Sequence, residues 1–346
     1  MKSYTIECLS EAVSPITHAS GTSGNESIIA REIVCNESGT YSIPFLSGNA
    51  LRHRTIREPG ALWLIDRLGL RGQLNLPQLN FLLHGGNLSG STSHENTRLI
   101  ADMHRLFPLF RLLGCSLPSQ IVAGSLDVWR GTLVCRENSQ AIRAYVAAVD
   151  ELILLPSERF VTGYQYTTGD ADSLNIHSRK AELSRIEASG GRERKTSRMI
   201  YAGQAVAKGA MFHHGYVLKH VSELNVGAFL LSMRLWQAAG GTIGGSARVG
   251  HGRLKTSYLN GFEDRDELVA AYVEHVDANR DDCLAFLMDV FGGGAKDNAG
   301  GESASGEKKV KSGRKAGKAA RSSLESNSQQ SEEVDPLAVA AVELSR

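Results

Sequence analysis

A chain of 346 residues can hold one large domain or two ordinary ones, and its formal net charge of +1 excludes a globally basic nucleic-acid-binding protein. Any basic surface must therefore be local. Five scattered cysteines without a Cys-x-x-Cys pair argue against a zinc site or a disulfide framework, and no apolar run approaches the ~20 residues of a membrane span. Because the N-terminus also lacks the layout of a signal peptide, we expect a cytoplasmic protein.

Two strands are predicted near the N-terminus: one over residues 3–13, where Tyr4, Ile6 and Cys8 alternate with polar residues, and one over residues 28–34. Between them, residues 18–25 form a predicted loop of small residues that begins with His18 and includes Ser20. Free backbone N–H groups in such a loop can meet phosphate oxygens. A flexible surface loop is the alternative interpretation.

A helix is predicted over residues 47–68, after a Ser-Gly-Asn turn in which Ser47 or Asn49 can cap the first turn. Its start is crowded by basic side chains, namely Arg52, His53, Arg54 and Arg57. A helix start attracts anions, and ordinary helices place Asp or Glu there. The first turn has no acid, so the pattern indicates an external polyanion; a solvated helix face is the alternative.

The middle of the chain is predicted to contribute to the core first and then to form a basic arm. Residues 74–113 are predicted to be helical with a break at 85–90, and residues 121–134 to be a strand or hairpin. Residues 157–198 have few apolar side chains, which predicts an arm or long hairpin projecting from the domain. Basic residues follow one another there, and those singled out as candidates for a polyanion are Arg179, Arg185, Arg194 and Arg198. A disordered insertion is the alternative.

A further strand is predicted over residues 211–221, with His213 and His214 on opposite faces where they cannot easily share a ligand. An apolar helix over 228–239 leads into a glycine-rich loop, residues 240–253. This loop matches neither a Walker loop nor a dinucleotide-binding fingerprint, but it suits close approach of a nucleic-acid backbone. Its candidate contact residues are Gly244, Gly245, Arg248, His251 and Arg253.

The C-terminal part comprises a predicted final helix over residues 267–290 and, from 292, a tail rich in Gly, Ser, Ala and Lys. Such a composition cannot bury a core, so residues 292–346 are predicted to be disordered. The tail either touches nucleic acid without specificity or acts as a solubilising appendage.

Taken in this order, the strand, the small-residue loop, Ile-Pro-x-x-Ser-Gly-Asn-x-Leu-Arg, the basic arm and the late Gly-Gly…Arg-x-Gly-x-Gly-Arg segment resemble a known arrangement. Over residues 3–258 the chain resembles the backbone subunits of the RAMP superfamily of CRISPR proteins, the "Cas seven" family in its type IV version. The resemblance implies an α+β fold. Its parts are a ferredoxin-like (RRM-related) palm within residues 1–291, a helical insertion at 74–113, a projecting β-hairpin thumb at 157–198 and a disordered C-terminal tail.

The resemblance also implies a function: binding of guide RNA (crRNA) in a ribonucleoprotein complex of antiviral or plasmid defence. Such subunits stack head-to-tail into a helical filament along the guide and present it to target DNA or RNA. Further expected partners are guide-processing, large or cap and small subunits, with a helicase as another candidate; no cofactor or metal is expected. The implied RNA-binding residues are Ser47, Gly48, Asn49, Arg52, His53, Arg54, Arg57, His18, Ser20, Arg179, Arg185, Arg194, Arg198, Gly244, Gly245, Arg248, His251 and Arg253.

One departure from the resemblance concerns catalysis. In type III backbone subunits, a loop aspartate after the first strand cuts target RNA, whereas the matching residues 18–27 contain no aspartate, only Asn25 and Glu26 as near polar candidates. Asparagine cannot act as a carboxylate base. We therefore expect a non-cleaving subunit. The rival hypothesis is a metal-dependent endoribonuclease that uses Glu26 with His18 or His53.

Overall fold

The computed structural model describes residues 1–23, 26–87, 96–118, 120–143, 154–167 and 200–292. The strands in these ranges are Lys2–Ala12 (β1), Ala19–Ser23 (β2), Glu26–Ile29 (β3), Arg31–Asn36 (β4), Gly39–Leu46 (β5), Cys115–Leu117 (β6), Gln120–Val122 (β7), Leu126–Val128 (β8), Gly131–Leu133 (β9), Val161–Thr167 (β10), Ile200–Val206 (β11), Met211–Val221 (β12) and Leu254–Tyr258 (β13). The α-helices are Gly48–Leu51 (α1), Glu58–Arg67 (α2), Leu76–Leu79 (α3), Thr97–Leu106 (α4), Pro108–Leu113 (α5), Ser139–Arg143 (α6), Glu223–Ala238 (α7), Asp266–Ala278 (α8) and Arg280–Phe291 (α9). None of the helices in these ranges has the length and apolar character needed to cross a bilayer.

The central sheet has the strand order β13-β1-β12-β9-β5-β4, and β8 also pairs with β12. Neighbouring strands are antiparallel throughout. The part β13-β1-β12-β9 has the order of a ferredoxin-like βαββαβ unit, in which the helix beginning with α1 lies between β1 and β9 in the chain and α7 connects β12 to β13. The predicted α+β fold with a ferredoxin-like palm is therefore confirmed.

One long helix crosses the palm, and we call it the arginine helix: α1, a π-helical segment Arg52–Arg57, and α2. The wide π turn ends at Arg57, two residues before Pro59, whose ring would collide with the carbonyl four residues earlier in a regular α-helix. The helix packs on α7, because Gly60 has no side chain where Ser232 lies. Its Thr55 Oγ1 lies 3.0 Å from the hydroxyl of Tyr216, a fully buried ring of β12.

A second sheet with the order β10-β11-β3-β2 flanks the palm. Strands β10 and β11 pair antiparallel from Val161↔Val206 to Thr167↔Ile200, and they form the base of the predicted arm, whose residues 168–199 lie outside the described ranges. An isolated bridge between Ile16 and Val206 ties this sheet to the segment that follows β1.

Two N-terminal predictions are wrong in detail. The loop predicted over residues 18–25 contains strand β2, which pairs with β3 even though its small polar residues show no apolar alternation. The single strand predicted over 28–34 divides at Ala30, so that β3 joins the second sheet and β4 joins the central one. Ala30 marks the crossing because its N–H donates to His18 O and its carbonyl accepts from Phe45 N–H.

The helical prediction over residues 74–113 corresponds to α3 with the π-helical segment Asn80–His84, followed by α4 and α5. The glycine break begins where predicted, since Gly85 and Gly86 both have positive φ; residues 88–95 lie outside the described ranges. The final helix predicted over 267–290 is divided into α8 and α9 at Asn279. The Asn279 side chain there donates to His275 O.

His213 and His214 lie on opposite faces of β12, as predicted. His214 is fully buried on the helix-covered face, and its Nε2 lies 2.7 Å from Ser10 Oγ, which in turn lies 2.6 Å from Thr256 Oγ1. Burial, with a further contribution from His213, lowers the pKa of His214 to about 3. The folded protein therefore holds His214 in its neutral form.

This burial predicts an acid-dependent loss of stability. The folded-state pKa lies below the ordinary value of about 6.5, so the stabilisation is complete above pH 6.5 and is lost as the pH falls toward 3. Between pH 7 and pH 5 this one group should cost about 2 kcal/mol of unfolding free energy. Urea unfolding of wild type and His214→Leu at both pH values measures it. An equal pH dependence in the two proteins would contradict the assignment, and Ser10 keeps Thr256 as a partner in the variant.

Candidate nucleic-acid interface

Three of the sequence segments singled out as nucleic-acid contacts meet in the structure. The backbone N–H of Ser47 donates to His18 Nε2 at 3.1 Å, which joins the start of the arginine helix to the segment before β2. Thr17 joins the same segment to the glycine-rich loop: its carbonyl accepts from Gly245 N–H at 2.8 Å, and its hydroxyl donates to Gly245 O at 2.6 Å. Residues distant in sequence are thus brought to one place.

The start of the arginine helix is capped by Ser47, and Asn49 is exposed beside it. The Ser47 hydroxyl accepts from Ala50 N–H at 3.1 Å. Gly48 lies so close to β8 that a Cβ would sit 2.7 Å from Val128 O. The helix start is therefore held by its own side-chain cap and by the close approach of Gly48 to β8.

His18 is part of this internal architecture. Its Nε2 accepts a hydrogen bond from Ser47, which requires an unprotonated nitrogen, and burial lowers the pKa of the imidazole. The ring also packs edge-on against Phe45. His18 is accordingly a neutral positioning residue, and the nearby Ser20 donates within the β2–β3 hairpin to Ile28 O at 3.5 Å.

The basic side chains of the arginine helix differ in their surroundings. Arg54 forms a half-exposed ion pair with Glu58 at 2.6 Å, one turn along the helix. An acidic residue of the same helix therefore partly neutralises its basic start. Arg52 is half-buried, and burial lowers its pKa while Asp127 opposes that shift. Its Nε has no hydrogen-bond partner among the described residues.

Arg57 is 8% exposed and contributes to packing in this conformation. Its Nη2 donates to Gly114 O at 3.2 Å, and a Cβ on Gly85 would lie 3.0 Å from its Nη1. Burial, with Arg52 adding to it, lowers the pKa of Arg57 to about 10. The predicted phosphate contact at this position would require the side chain to leave its pocket.

His53 and His84 stack with ring centroids 6.4 Å apart and an interplanar angle of 10°. Burial is the main cause that lowers the pKa of His53. His53 belongs to the π-helical segment Arg52–Arg57 and His84 to the π-helical segment Asn80–His84, and their rings meet where these two segments pack together. Within the described ranges, no group of His, Cys, Asp and Glu side chains forms a candidate metal site.

The glycine-rich loop owes its course to residues with positive φ. Gly244 has φ +73°, and a Cβ there would lie 2.3 Å from Thr17 O, so only glycine permits the close approach to that segment. The 3₁₀ turn Ala247–Val249 presents Arg248 as an exposed side chain. Arg253 is also exposed and its Nε donates to Gly240 O at 3.4 Å. The loop thus carries two accessible guanidinium groups.

Sequence reasoning missed an aromatic cluster beside this loop. Tyr164 and Tyr166 of β10 stack at 6.0 Å, Tyr166 stacks on Tyr201 of β11 at 5.5 Å, and His251 of the glycine-rich loop meets Tyr164 edge-on at 4.9 Å. A Tyr-x-Tyr spacing in a strand would have placed the first two rings on one face. The candidates Arg179, Arg185, Arg194 and Arg198 lie outside the described residues.

The fold and the convergent segments define the chain as an α+β protein with a ferredoxin-like palm, a flanking sheet and a partly basic loop. No family model matches it, and no curated protein matches it. Among solved structures, it is similar to a chain of the "Type IV-B CRISPR Complex", with a TM-score of 0.52 and 16% sequence identity. The match covers 75% of this chain and 91% of that chain. At a sequence identity this low, the similarity shows a shared fold and nothing about shared function.

Proposed function

We propose that this protein is a guide-RNA-binding backbone subunit of a type IV CRISPR ribonucleoprotein complex, of the RAMP superfamily, and that copies assemble head-to-tail along the guide. The observation that carries the proposal is the fold shared with a chain of a type IV-B CRISPR complex, covering 91% of that chain. The meeting of the loop, the helix start and the segment before β2 gives it a physical basis, because these are the segments in which the sequence resembles that family.

The described residues suit recognition of a nucleic-acid backbone. Arg248 and Arg253 are exposed, and Gly250 leaves open space beside them, since no atom lies within 4 Å of a Cβ placed there. Such contacts hold phosphates without reading bases, so sequence specificity belongs to base pairing between guide and target. The guide, target DNA or RNA, further copies of the chain and the other subunits of the complex are its proposed partners.

We also propose that the subunit does not cleave its target. Glu26, the nearest acid to the position of the type III aspartate, is an exposed residue at the start of β3. His18 uses Nε2 to accept from Ser47, and His53 stacks on His84, so neither histidine is poised as a free base beside it. Incubating the RNA-loaded protein with labelled complementary RNA and magnesium tests this; regularly spaced cleavage products would favour the endoribonuclease alternative.

The test of RNA binding is a salt titration. Wild type should bind single-stranded RNA with an affinity that falls steeply with salt, and Arg248→Ala should lower the slope of log K against log salt by about 0.7, the value for one lost phosphate contact. Fluorescence anisotropy of a labelled oligonucleotide over a range of salt concentrations measures both slopes.

Arg98→Ala is the matched control, because it removes the same charge from an exposed position on α4, away from the glycine-rich loop. Its slope should equal that of wild type. Equal slopes for Arg248→Ala and wild type would remove the loop from the contact surface, and absence of RNA binding by wild type would refute the proposed function.

A further inference from the structure

Three tyrosines and a histidine form a continuous row of rings across the flanking sheet, and we call it the aromatic row: Tyr164, Tyr166, Tyr201 and His251. Planes of Tyr164 and Tyr166 differ by 9°, and those of Tyr166 and Tyr201 by 16°. The row joins the base of the β10–β11 hairpin to the glycine-rich loop, two elements that the proposed function places near the guide.

Strand register explains why the rings share one face. Tyr166 lies directly opposite Tyr201, and Tyr164 lies opposite Gly203, so residues two apart on β10 and their partners on β11 point to the same side. Gly203 matters because a Cβ there would lie 2.6 Å from the Tyr164 hydroxyl. The missing side chain lets the Tyr164 ring extend across the neighbouring strand.

The row is not closed off as core. Tyr166 is 37% exposed, and Tyr164 and Tyr201 are half-buried, whereas a core aromatic of the palm such as Tyr216 is fully buried. Exposed aromatic rings in near-parallel planes offer flat π-surfaces to a planar ligand.

The loop at one end of the aromatic row carries positive charge, which favours binding of a nucleic acid. His251, at one end of the row, lies three residues after the exposed Arg248 and two residues before the exposed Arg253 in the glycine-rich loop. Aromatic side chains combined with backbone-binding cations are the standard features of sites for single-stranded nucleic acids, whose bases stack while phosphates pair with arginine. An apolar protein partner would not require the arginines.

We propose that the aromatic row is a stacking surface for unpaired bases, with Tyr166 as the principal contact. This inference rests on the proposed function and adds to it a contact with the bases themselves, independent of their identity. It accounts for the position of the row at the foot of the hairpin, where it would support a base beside the segment that the loop arginines hold by its phosphates.

The test compares two single-stranded oligonucleotides with the same number of phosphates, one of ordinary RNA and one with abasic ribose positions. Wild type should bind the RNA about 10- to 100-fold more tightly, the range expected for stacked bases. Tyr166→Leu should lose most of that preference while leaving the affinity for the abasic strand and the salt slope unchanged. Tyr166→Trp should retain the preference, because indole also stacks.

Gln165→Ala is the matched control, since Gln165 is exposed on the same strand but on the opposite face, and it should behave as wild type. Equal binding of RNA and abasic strand by wild type would overturn the inference and leave a protein-facing role for the row, while the proposed function would stand. An undiminished preference in Tyr166→Leu would also overturn it. Failure of wild type to bind either strand would instead refute the proposed function.

Discussion

Gly244→Ala is expected to lower the affinity of the protein for single-stranded RNA by at least about tenfold at fixed salt, equivalent to about 1.4 kcal/mol. The added Cβ would lie 2.3 Å from Thr17 O, a backbone atom that cannot turn aside. The loop must then leave Thr17 and give up both hydrogen bonds at Gly245. Arg248 and His251 would be displaced with the loop, while the palm should remain folded by circular dichroism.

Gly250→Ala provides a matched control within the same loop. Gly250 has φ +88°, so alanine there meets the same left-handed backbone strain, but no atom lies within 4 Å of the added Cβ. Its RNA affinity should stay within about threefold of the wild-type affinity, which corresponds to a binding free-energy difference of at most about 0.6 kcal/mol. Equal losses in the two variants would show that backbone strain, and not the contact with Thr17, controls the loop.

Gly227→Ala is expected to reduce the free energy of unfolding by about 3 kcal/mol, although glycine to alanine in a helix interior ordinarily stabilises by about 0.5–1 kcal/mol. Gly227 lies in α7 where α8 packs on it, and a Cβ would sit 2.0 Å from Leu268 O and 2.9 Å from Tyr272 Cβ. The two helices would have to move apart, which exposes the surface between them. Urea unfolding followed by circular dichroism gives the change.

Gly21→Ala adds the same methyl group to β2 at a place where no atom lies within 4 Å of it, and without a positive φ. Its stability should remain within about 0.5 kcal/mol of wild type, as for ordinary surface changes. An increase in stability for Gly227→Ala would mean that α7 and α8 do not approach each other closely at Gly227 and Leu268.

Much of the palm could be predicted because apolar residues recur in its strands and helices at the spacing typical of each. Strand β12 and helix α7 carry clear apolar patterns, and the alternation of β1 places Ile6 and Cys8 in the core. Strand β2 could not be found in this way, because its small polar residues owe their extended form to pairing with β3. The division of the last helix at Asn279 depends on a local side-chain hydrogen bond that periodicity does not register.

The candidate site was predictable in its segments but not in the roles of their residues. The Arg54–Glu58 pair follows from a spacing of four and was visible in the sequence. The burial of Arg57 depends on Gly85 and Gly114, which only the fold brings near it. Tyr201 likewise joins the aromatic row through strand register, which a single sequence does not specify across an arm as long as residues 168–199.

The π-helical segment Arg52–Arg57 has a consequence for comparing this chain with its relatives. A π turn holds one more residue than the α turn it replaces, and each residue of an α-helix turns by about 100°. A relative with a regular helix at this place would be one residue shorter, so a correct alignment requires a gap there. Without that gap, every residue of α2 would be equated with one on a different side of the helix, and the buried Ile65 would be aligned with the partly exposed position of Asp66.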